Sequence, residues 1–208
     1  MPRKKDCRVA GVILAAGGSS RIGQVKQLLA FRETTLLGQV IENAAGSLLD
    51  EVVVVLGHAA ERIRQTVTLE HVRVVVNEAH EQGQSTSLRA GLSAVSEDTD
   101  GVMFILGDQP LVGAEVMNAL IEGYCHARAP IVLPTHRGRR GNPVVIDRAL
   151  FPRVESLTGD TGARVLFQEY AEEIVEVDVD DDSIHFDLDT WEDYQKLKEM
   201  DDSWNESD

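Results

Sequence analysis

The sequence predicts an α/β fold in which helices cover both faces of a mainly parallel sheet. Three short runs rich in β-branched residues, 52–56, 72–76 and 101–106, are typical of buried strands bounded by Gly, Asn or Asp. Amphipathic helical patterns separate these runs. Apolar strands that alternate with helices are typical of parallel sheets with crossover connections, so we expect three layers.

The elements follow in chain order. Residues 9–13 form a first apolar strand, and later patterns indicate helices at 163–170 and from Thr190 or Trp191. We expect one domain over residues 1–200, followed by an acidic, disordered tail at 201–208. Three further helices are indicated by apolar residues that share one face: Leu36, Leu37, Val40, Ile41, Ala44 and Leu48; Leu88, Leu92 and Val95; and Val116, Ala119 and Leu120.

Charge excludes two classes of function. The chain has 208 residues and a net charge of −15. The first 168 residues hold 18 acidic and 18 basic side chains, so the net charge comes from the last 40. A neutral body with an acidic end is not typical of a nucleic-acid or membrane-surface protein. No apolar run is long enough to span a bilayer.

The two cysteines, Cys7 and Cys125, show no metal-binding or redox spacing. The basic N-terminal residues lack the apolar run and cleavage site of a secretory signal. These features predict reduced cysteines and a cytoplasmic location.

A glycine-rich loop, LAAGGSSRIG, runs from Leu14 to Gly23 after the first strand. The carboxyl ends of parallel strands form the rim where ligands bind. Glycines there expose N–H groups that attract phosphate, and Arg21 and Lys26 add positive charge. The spacing fits neither the dinucleotide fingerprint nor the ATP-binding loop with its lysine directly after the second glycine. A phosphate-binding loop and a plain strand-to-helix turn both remain open.

Two acidic segments also have two interpretations. Asp108 follows a strand and suits Mg²⁺, which prefers oxygen ligands, but it equally suits a type I turn. In the extended segment Phe186–Thr190, Asp187 and Asp189 face one side while Leu188 faces the core. Asp189 is then either a metal ligand or the cap of the following helix.

Six motifs occur in order: LAAGGSSRIGQVKQL at 14–28, GQSTSLRAG at 83–91, GDQP at 107–110, GRRGNP at 138–143, GDTGAR at 159–164 and FDLDT at 186–190. Together they resemble the MobA-like nucleotidyltransferases, and within them the molybdenum cofactor cytidylyltransferase branch. Ile22, Asn142 and Trp191 depart from the family's usual Met, His and Pro.

The resemblance implies a fold, an activity and its partners. The fold is a single-domain, Rossmann-like three-layer α/β/α of the nucleotide-diphospho-sugar transferase type. The activity is transfer of CMP from CTP to the terminal phosphate of molybdopterin or molybdenum cofactor, with release of pyrophosphate. The cofactor is Mg²⁺ or Mn²⁺. The partners are CTP and a pterin-type phosphate acceptor, with a molybdoenzyme or its chaperone as a further candidate.

The resemblance also assigns residues to the site. The expected catalytic residues are Arg21, Lys26 and Asp108, and the expected metal ligands are Asp108 and Asp189. Acceptor binding is expected at Arg140, Asn142 and Asp160. The expected nucleotide-binding residues are Leu14, Ala15, Ala16, Gly17, Gly18, Ser19, Arg21, Lys26, Ser85, Thr86, Ser87, Gly107 and Asp108.

The hydroxyl residues at 85–87 have a structural alternative, because short hydroxyls at a helix start commonly cap it. Two other functions also stay open. One is a nucleotidyltransferase that uses another NTP or acceptor, of guanylyl or sugar-phosphate type. The other is a catalytically silent nucleotide-binding accessory protein.

Overall fold

The computed structural model describes residues 7–18 and 22–205, with side chains up to residue 200. Ten strands and seven α-helices occur in this part of the chain. The strands are β1 (Val9–Ala15), β2 (Ala30–Phe31), β3 (Thr34–Thr35), β4 (Glu51–Leu56), β5 (Arg73–Val76), β6 (Gly101–Leu106), β7 (Ile131–His136), β8 (Arg139–Arg140), β9 (Val144–Asp147) and β10 (Ile174–Asp178). The helices are α1 (Leu36–Ala45), α2 (Ala60–Thr66), α3 (Gln84–Leu92), α4 (Ala114–Ala127), α5 (Phe151–Glu155), α6 (Leu166–Glu169) and α7 (Trp191–Asn205).

Eight of the strands form one sheet, in the order β10-β7-β9-β6-β1-β4-β5, with β8 paired to β7. Strand β1 lies in the middle and pairs in parallel with β4 and β6, and β4 pairs in parallel with β5. Strand β9 runs antiparallel between β6 and β7. The sheet is therefore mainly parallel, as predicted, with two inverted strands, β9 and the short β8, that the sequence pattern did not indicate.

Two apolar layers enclose the sheet. Alternate residues of β1 point to opposite faces: Val9 and Ile13 pack into one core, and Ala10 and Val12 into the other. Helices α1, α2 and α4 contribute to the first core, and α3, α5 and α6 to the second. The three-layer prediction is confirmed.

A third, smaller cluster packs α7 against the chain between β1 and α1. It contains Leu29, Phe31, Leu36, Leu188, Tyr194 and Leu197. Leu188 is fully buried, as the sequence predicted. Its burial fixes the segment before α7 close to the sheet rim.

Element boundaries differ from the sequence pattern in three places. Helix α1 ends at Ala45, before the predicted Leu48. The helix predicted at 163–170 begins as a 3₁₀ turn, Ala163–Val165, and becomes α6 only at Leu166. Helix α7 continues to Asn205, although disorder was expected from residue 201.

Cys7 and Cys125 form a disulfide between residues 118 apart in sequence. The prediction that both cysteines are reduced is therefore wrong. Cys7 lies just before β1 and Cys125 lies in α4, and both are buried, at 1% and 2% exposure. Spacing alone could not indicate this pair, because the sheet brings the two segments together.

Within the described residues, no helix has the length and apolar character needed to cross a membrane.

Candidate active site

The carboxyl ends of β1 and β6 open into a cleft with two adjoining compartments. The larger compartment has a volume of about 720 Å³ and the smaller one about 340 Å³. Leu14, Leu106, Gln84 and Asp160 line both, so the two spaces share a boundary. This is the rim at which ligands bind in open α/β sheets.

The loop after β1 forms one wall of the larger compartment. Ala16 and Gly17 line it. The buried amide of Gln27 donates hydrogen bonds to the carbonyls of Ala15 and Gly17, at 3.2 and 3.0 Å. Gln27 therefore holds the first turn of the loop in place.

The remainder of this loop was expected to bind phosphate. A Cβ on Gly18 would lie 3.7 Å from the ring of His58, so Gly18 brings the loop close to the chain after β4. Ser19 and Arg21 lie outside the described residues, and their roles stay predictions.

Lys26 lies between two of the predicted acidic residues. Its Nζ donates to Asp108 Oδ2 at 2.5 Å and to the carbonyl of Leu188 at 2.6 Å, and lies 3.5 Å from Asp189 Oδ1. The Lys26 and Asp108 side chains are 15% and 21% exposed, and that of Asp189 is 57% exposed. The fold thus brings residues 26, 108 and 189 together around one cation.

Asp187 adds a third carboxylate to the same cleft. Its Oδ1 accepts a hydrogen bond from the buried amide of Gln109 at 2.7 Å. Burial, followed by the negative charge of Asp108, raises the pKa of Asp187, while the positive charge of Arg164 opposes the rise. Gln109 therefore orients Asp187 next to an already acidic pair.

The cap of α7 is Thr190, so the capping role considered for Asp189 belongs to its neighbour. Thr190 Oγ1 accepts from the backbone N–H of Asp193 at 3.2 Å, and Asp193 Oδ2 accepts from the N–H of Thr190 at 2.9 Å. This reciprocal pair is a capping box. The carboxylate of Asp189 lies instead on the cleft, beside Lys26.

The three hydroxyl residues at the start of α3 separate into two groups. All three are buried, but Ser87 lines the larger compartment, whereas Ser85 and Thr86 do not. Ser85 Oγ donates to the carbonyl of Gly159 at 2.7 Å, and the amide of Asn77 donates to Thr86 and Ser87 at 2.8 and 3.0 Å. None of the three side chains caps α3, whose N-cap is Gly83.

Gly83 joins α3 to the loop at 159–162. Its φ of 107° and ψ of 168° belong to a region open essentially to glycine. A Cβ there would clash with the carbonyl of Gly159 and lie 2.5 Å from the amide nitrogen of Asp160. Asp160 Oδ1 in turn accepts from the N–H of Gln84 at 3.3 Å. This junction forms the boundary between the two compartments.

Gly83→Ala is expected to destabilise the protein by about 1–3 kcal/mol, because alanine cannot adopt this backbone conformation without strain. Urea unfolding measures the change. Gly113→Ala is the matched control, since Gly113 is also an N-cap but has a φ of −81° and nothing within 4 Å of its Cβ position. Equal stability losses for the two variants would contradict the role given to Gly83.

The smaller compartment has both apolar and polar lining residues. Phe104, Phe167 and Leu88 line it, together with two of the predicted acceptor residues, Asn142 and Asp160. The third, Arg140, lines neither compartment: it is exposed on β8 and pairs with Glu176 of β10 at 2.7 Å. The cation that lines this compartment is Arg164.

The predicted Gly107 turn has a structural role. Its N–H donates to the carbonyl of Leu14 at 3.0 Å, and a Cβ there would lie 3.0 Å from the Cβ of Ala15. The close contact between the loops after β1 and β6 directs Asp108 into the cleft.

A model of the MobA-like NTP transferase domain matches residues 11–174. The chain belongs to this family. The match covers most of the sheet and the residues that line the larger compartment except Asp187 and Asp189. The protein is therefore a member of a nucleotidyltransferase family, and its fold is Rossmann-like.

The relatives to which this chain is similar have names that describe different activities. The chain is 34% identical to nicotine blue oxidoreductase of Paenarthrobacter nicotinovorans, covering 91% of this chain and 96% of that one. It is 25% identical to molybdenum cofactor cytidylyltransferase of Escherichia coli K12, covering 93% and 95%. The manganese complex of Rv0371c from Mycobacterium tuberculosis H37Rv has a TM-score of 0.81 and 32% identity, covering 92% and 98%.

The acidic residues of this MobA-like site fit a divalent cation that also binds substrate. Within the described ranges, no group of three His, Cys, Asp or Glu side chains could hold a metal ion alone. Mg²⁺, however, is usually held by one or two carboxylates with waters and substrate phosphates. Asp108 and Asp189 already lie within 3.5 Å of one cation, the Lys26 ammonium.

Sequence reasoning missed several residues of the MobA-like site. Gln27 and Asn77 act through buried amides on backbone or hydroxyl groups, and no spacing rule indicates them. His80 and Gln84 line the cleft from the chain leading into α3. Arg164 could have been found, because it ends the GDTGAR motif and is the only positively charged residue in it.

Proposed function

We propose that the protein is a divalent-metal-dependent nucleotidyltransferase that transfers CMP from CTP to the terminal phosphate of molybdopterin or molybdenum cofactor. Pyrophosphate is the second product. One observation carries the proposal: Asp108 and Asp189 line the larger compartment, and the Lys26 ammonium lies within 3.5 Å of both carboxylates. A transfer between two bound phosphates needs charged groups of this kind beside the nucleotide.

The larger compartment is proposed to bind CTP. Its base would lie against the start of α3, where Ser87 and the backbone of the 82–84 segment supply polar groups. The sequence Leu14-Ala-Ala-Gly17 resembles the cytidylyl rather than the guanylyl relatives, and this supports CTP over GTP. The β- and γ-phosphates would bind the N–H groups of the glycine-rich loop together with Arg21.

The charged residues are proposed to act by positioning and by neutralising charge. Asp108 and Asp189 would hold Mg²⁺ or Mn²⁺, which would neutralise the phosphate oxygens when bound. Lys26 would stabilise negative charge that develops at the α-phosphate. The acceptor phosphate attacks the α-phosphorus, the bond to the β-phosphate oxygen breaks, and pyrophosphate leaves. A phosphate monoester has a second pKa of about 6, so little help from a general base is needed.

CTP with Mg²⁺ is expected to stabilise the fold more than GTP or ATP. The expected gain is about 2.7 kcal/mol at a CTP concentration a hundred times Kd, because ligands that bind only the folded state stabilise it by mass action. This corresponds to a rise in Tm of about 5–10 °C for a chain of this size. Thermal unfolding with each nucleotide, with and without Mg²⁺, measures it.

Three outcomes separate the candidate functions. Stabilisation by GTP and not by CTP would contradict the base assignment and favour a guanylyl-type transferase. Binding of CTP without pyrophosphate release in the presence of molybdopterin would favour another acceptor or a silent binding protein. No effect of any nucleotide would contradict the proposed function as a whole.

The proposed setting is the cytoplasm, with a molybdoenzyme or its chaperone as the recipient of the product. The absence of a membrane-spanning helix among the described residues is compatible with this setting. The near-complete burial of the Cys7–Cys125 bond would protect it from reductants there.

A further inference from the structure

The smaller compartment combines apolar side chains with polar ones; of the described residues that line it, Arg164 is the one cation and Asp160 the one carboxylate. Phe104, Phe167, Leu88 and Val144 provide apolar surface, and Arg164 provides the positive charge. Its volume of about 340 Å³ lies in the range of small-molecule sites. A ligand that fits both features has a flat apolar body and an anionic end.

Arg164 is available to such a ligand. It is exposed, and among the described residues no ion pair or side-chain hydrogen bond involves its guanidinium. Two other exposed arginines, by contrast, form ion pairs: Arg140 with Glu176, and Arg153 with Glu169. A guanidinium that lines a pocket and has no side-chain hydrogen bond is suited to bidentate binding of a phosphate.

The position of Arg164 relates the smaller compartment to the acidic residues. Its charge acts on Asp187, which lines the larger compartment with Asp108 and Asp189. Gln84 and Asp160 line both compartments, so Arg164 and the acidic residues border adjoining spaces. An acceptor phosphate bound to Arg164 would therefore lie in the compartment that adjoins the proposed nucleotide site.

We propose that Arg164 binds the attacking phosphate of the acceptor, while the acceptor's planar body occupies the smaller compartment. This inference rests on the proposed function. It assigns the role of acceptor-binding cation to Arg164 in place of Arg140. The loop at 159–162, which is fixed to α3 through Gly83 and Asp160, sets the distance between this phosphate and the nucleotide.

The test uses 1-naphthyl phosphate as a probe, with binding measured by calorimetry on the full chain. Arg164→Ala is expected to raise its Kd about 10- to 100-fold, because a charge-assisted contact to phosphate is lost. The Kd of Arg164→Lys is expected to lie between those of the wild type and Arg164→Ala, because lysine keeps the charge but not the planar fork. The control is Arg153→Ala, which removes an exposed arginine of α5 outside both compartments and is expected to leave Kd unchanged.

Two further measurements locate the probe. Uncharged 1-naphthol should bind the wild type and Arg164→Ala equally, and 1-naphthyl phosphate should still bind in the presence of saturating CTP and Mg²⁺. Equal Kd values for 1-naphthyl phosphate in the wild type and Arg164→Ala would overturn the proposal, as would displacement of the probe by CTP or no binding to the wild type.

The proposed function can fail separately. If CTP with Mg²⁺ does not stabilise the wild type but 1-naphthyl phosphate binding depends on Arg164, the anion site stands and the nucleotidyl transfer does not. If Arg164→Ala weakens CTP binding and leaves the probe unaffected, Arg164 belongs to the nucleotide site and the inference is wrong.

Discussion

Asp108→Asn is expected to reduce CTP-dependent pyrophosphate release by about 10²–10³-fold or more, because one preorganised charge contact in a reaction site is typically worth that much. The same change should remove most of the Mg²⁺ dependence of CTP binding. It also deprives Lys26 of its 2.5 Å carboxylate partner, so a loss of about 1–2 kcal/mol in stability is expected. The Lys26 ammonium lies between Asp108 and Asp189 and offsets the repulsion between their carboxylates.

Asp189→Asn and Asp189→Ala distinguish a ligand from a cap. Asp189 is 57% exposed, and the cap of α7 is Thr190. The free energies of unfolding of both variants should therefore lie within about 0.5 kcal/mol of the wild-type value. In both variants, CTP-dependent pyrophosphate release should fall as it does in Asp108→Asn. The matched control is Glu192→Gln, an exposed carboxylate in the first turn of α7, which should change neither quantity. A fully active Asp189→Asn protein would exclude the two-carboxylate site.

Removal of the Cys7–Cys125 bond is expected to lower the free energy of unfolding by about 2–5 kcal/mol, and Tm by about 4–20 °C. The bond closes a loop between residues 118 apart, so its loss frees a long segment of the unfolded chain. The double variant Cys7→Ala/Cys125→Ala, unfolded in urea, measures the effect.

Dithiothreitol provides the control for this bond. It should lower the Tm of the wild type and leave that of the double variant unchanged. Thiol titration of the non-reduced protein in denaturant should detect no free cysteine. Two reactive thiols under those conditions would show that the bond does not form, and the first expectation, of reduced cysteines, would be restored.

The sequence predicted the layers of the fold because periodicity reports burial directly. The strands after Val52 and Gly101 and the helix from Leu36 were recognisable from which faces are apolar. The inverted strand β9 was not recognisable, because its three apolar residues indicate burial but not direction. The break at Ala163–Val165 was equally hidden, since a 3₁₀ turn and an α-helix share local spacing.

The candidate site was predicted in part, for a related reason. Motifs indicated that Lys26, Asp108 and Asp189 belong together, although 82 residues separate the first two. They did not indicate that Ser85 and Thr86 are buried, because hydroxyl residues at a helix start suit both solvent and backbone partners.

By itself, then, the sequence determined the α/β class, the order of the motifs and the residue types that meet at the rim, since each depends on local pattern. The tertiary structure decided which of these residues face the cleft, which cation lines the smaller compartment and that Cys7 bonds to Cys125. It decided that Arg164, and not Arg140, lines the pocket, and that Thr190, and not Asp189, caps α7. These outcomes depend on how strands distant in sequence pack side by side, and a local pattern carries no information about distances across the sheet.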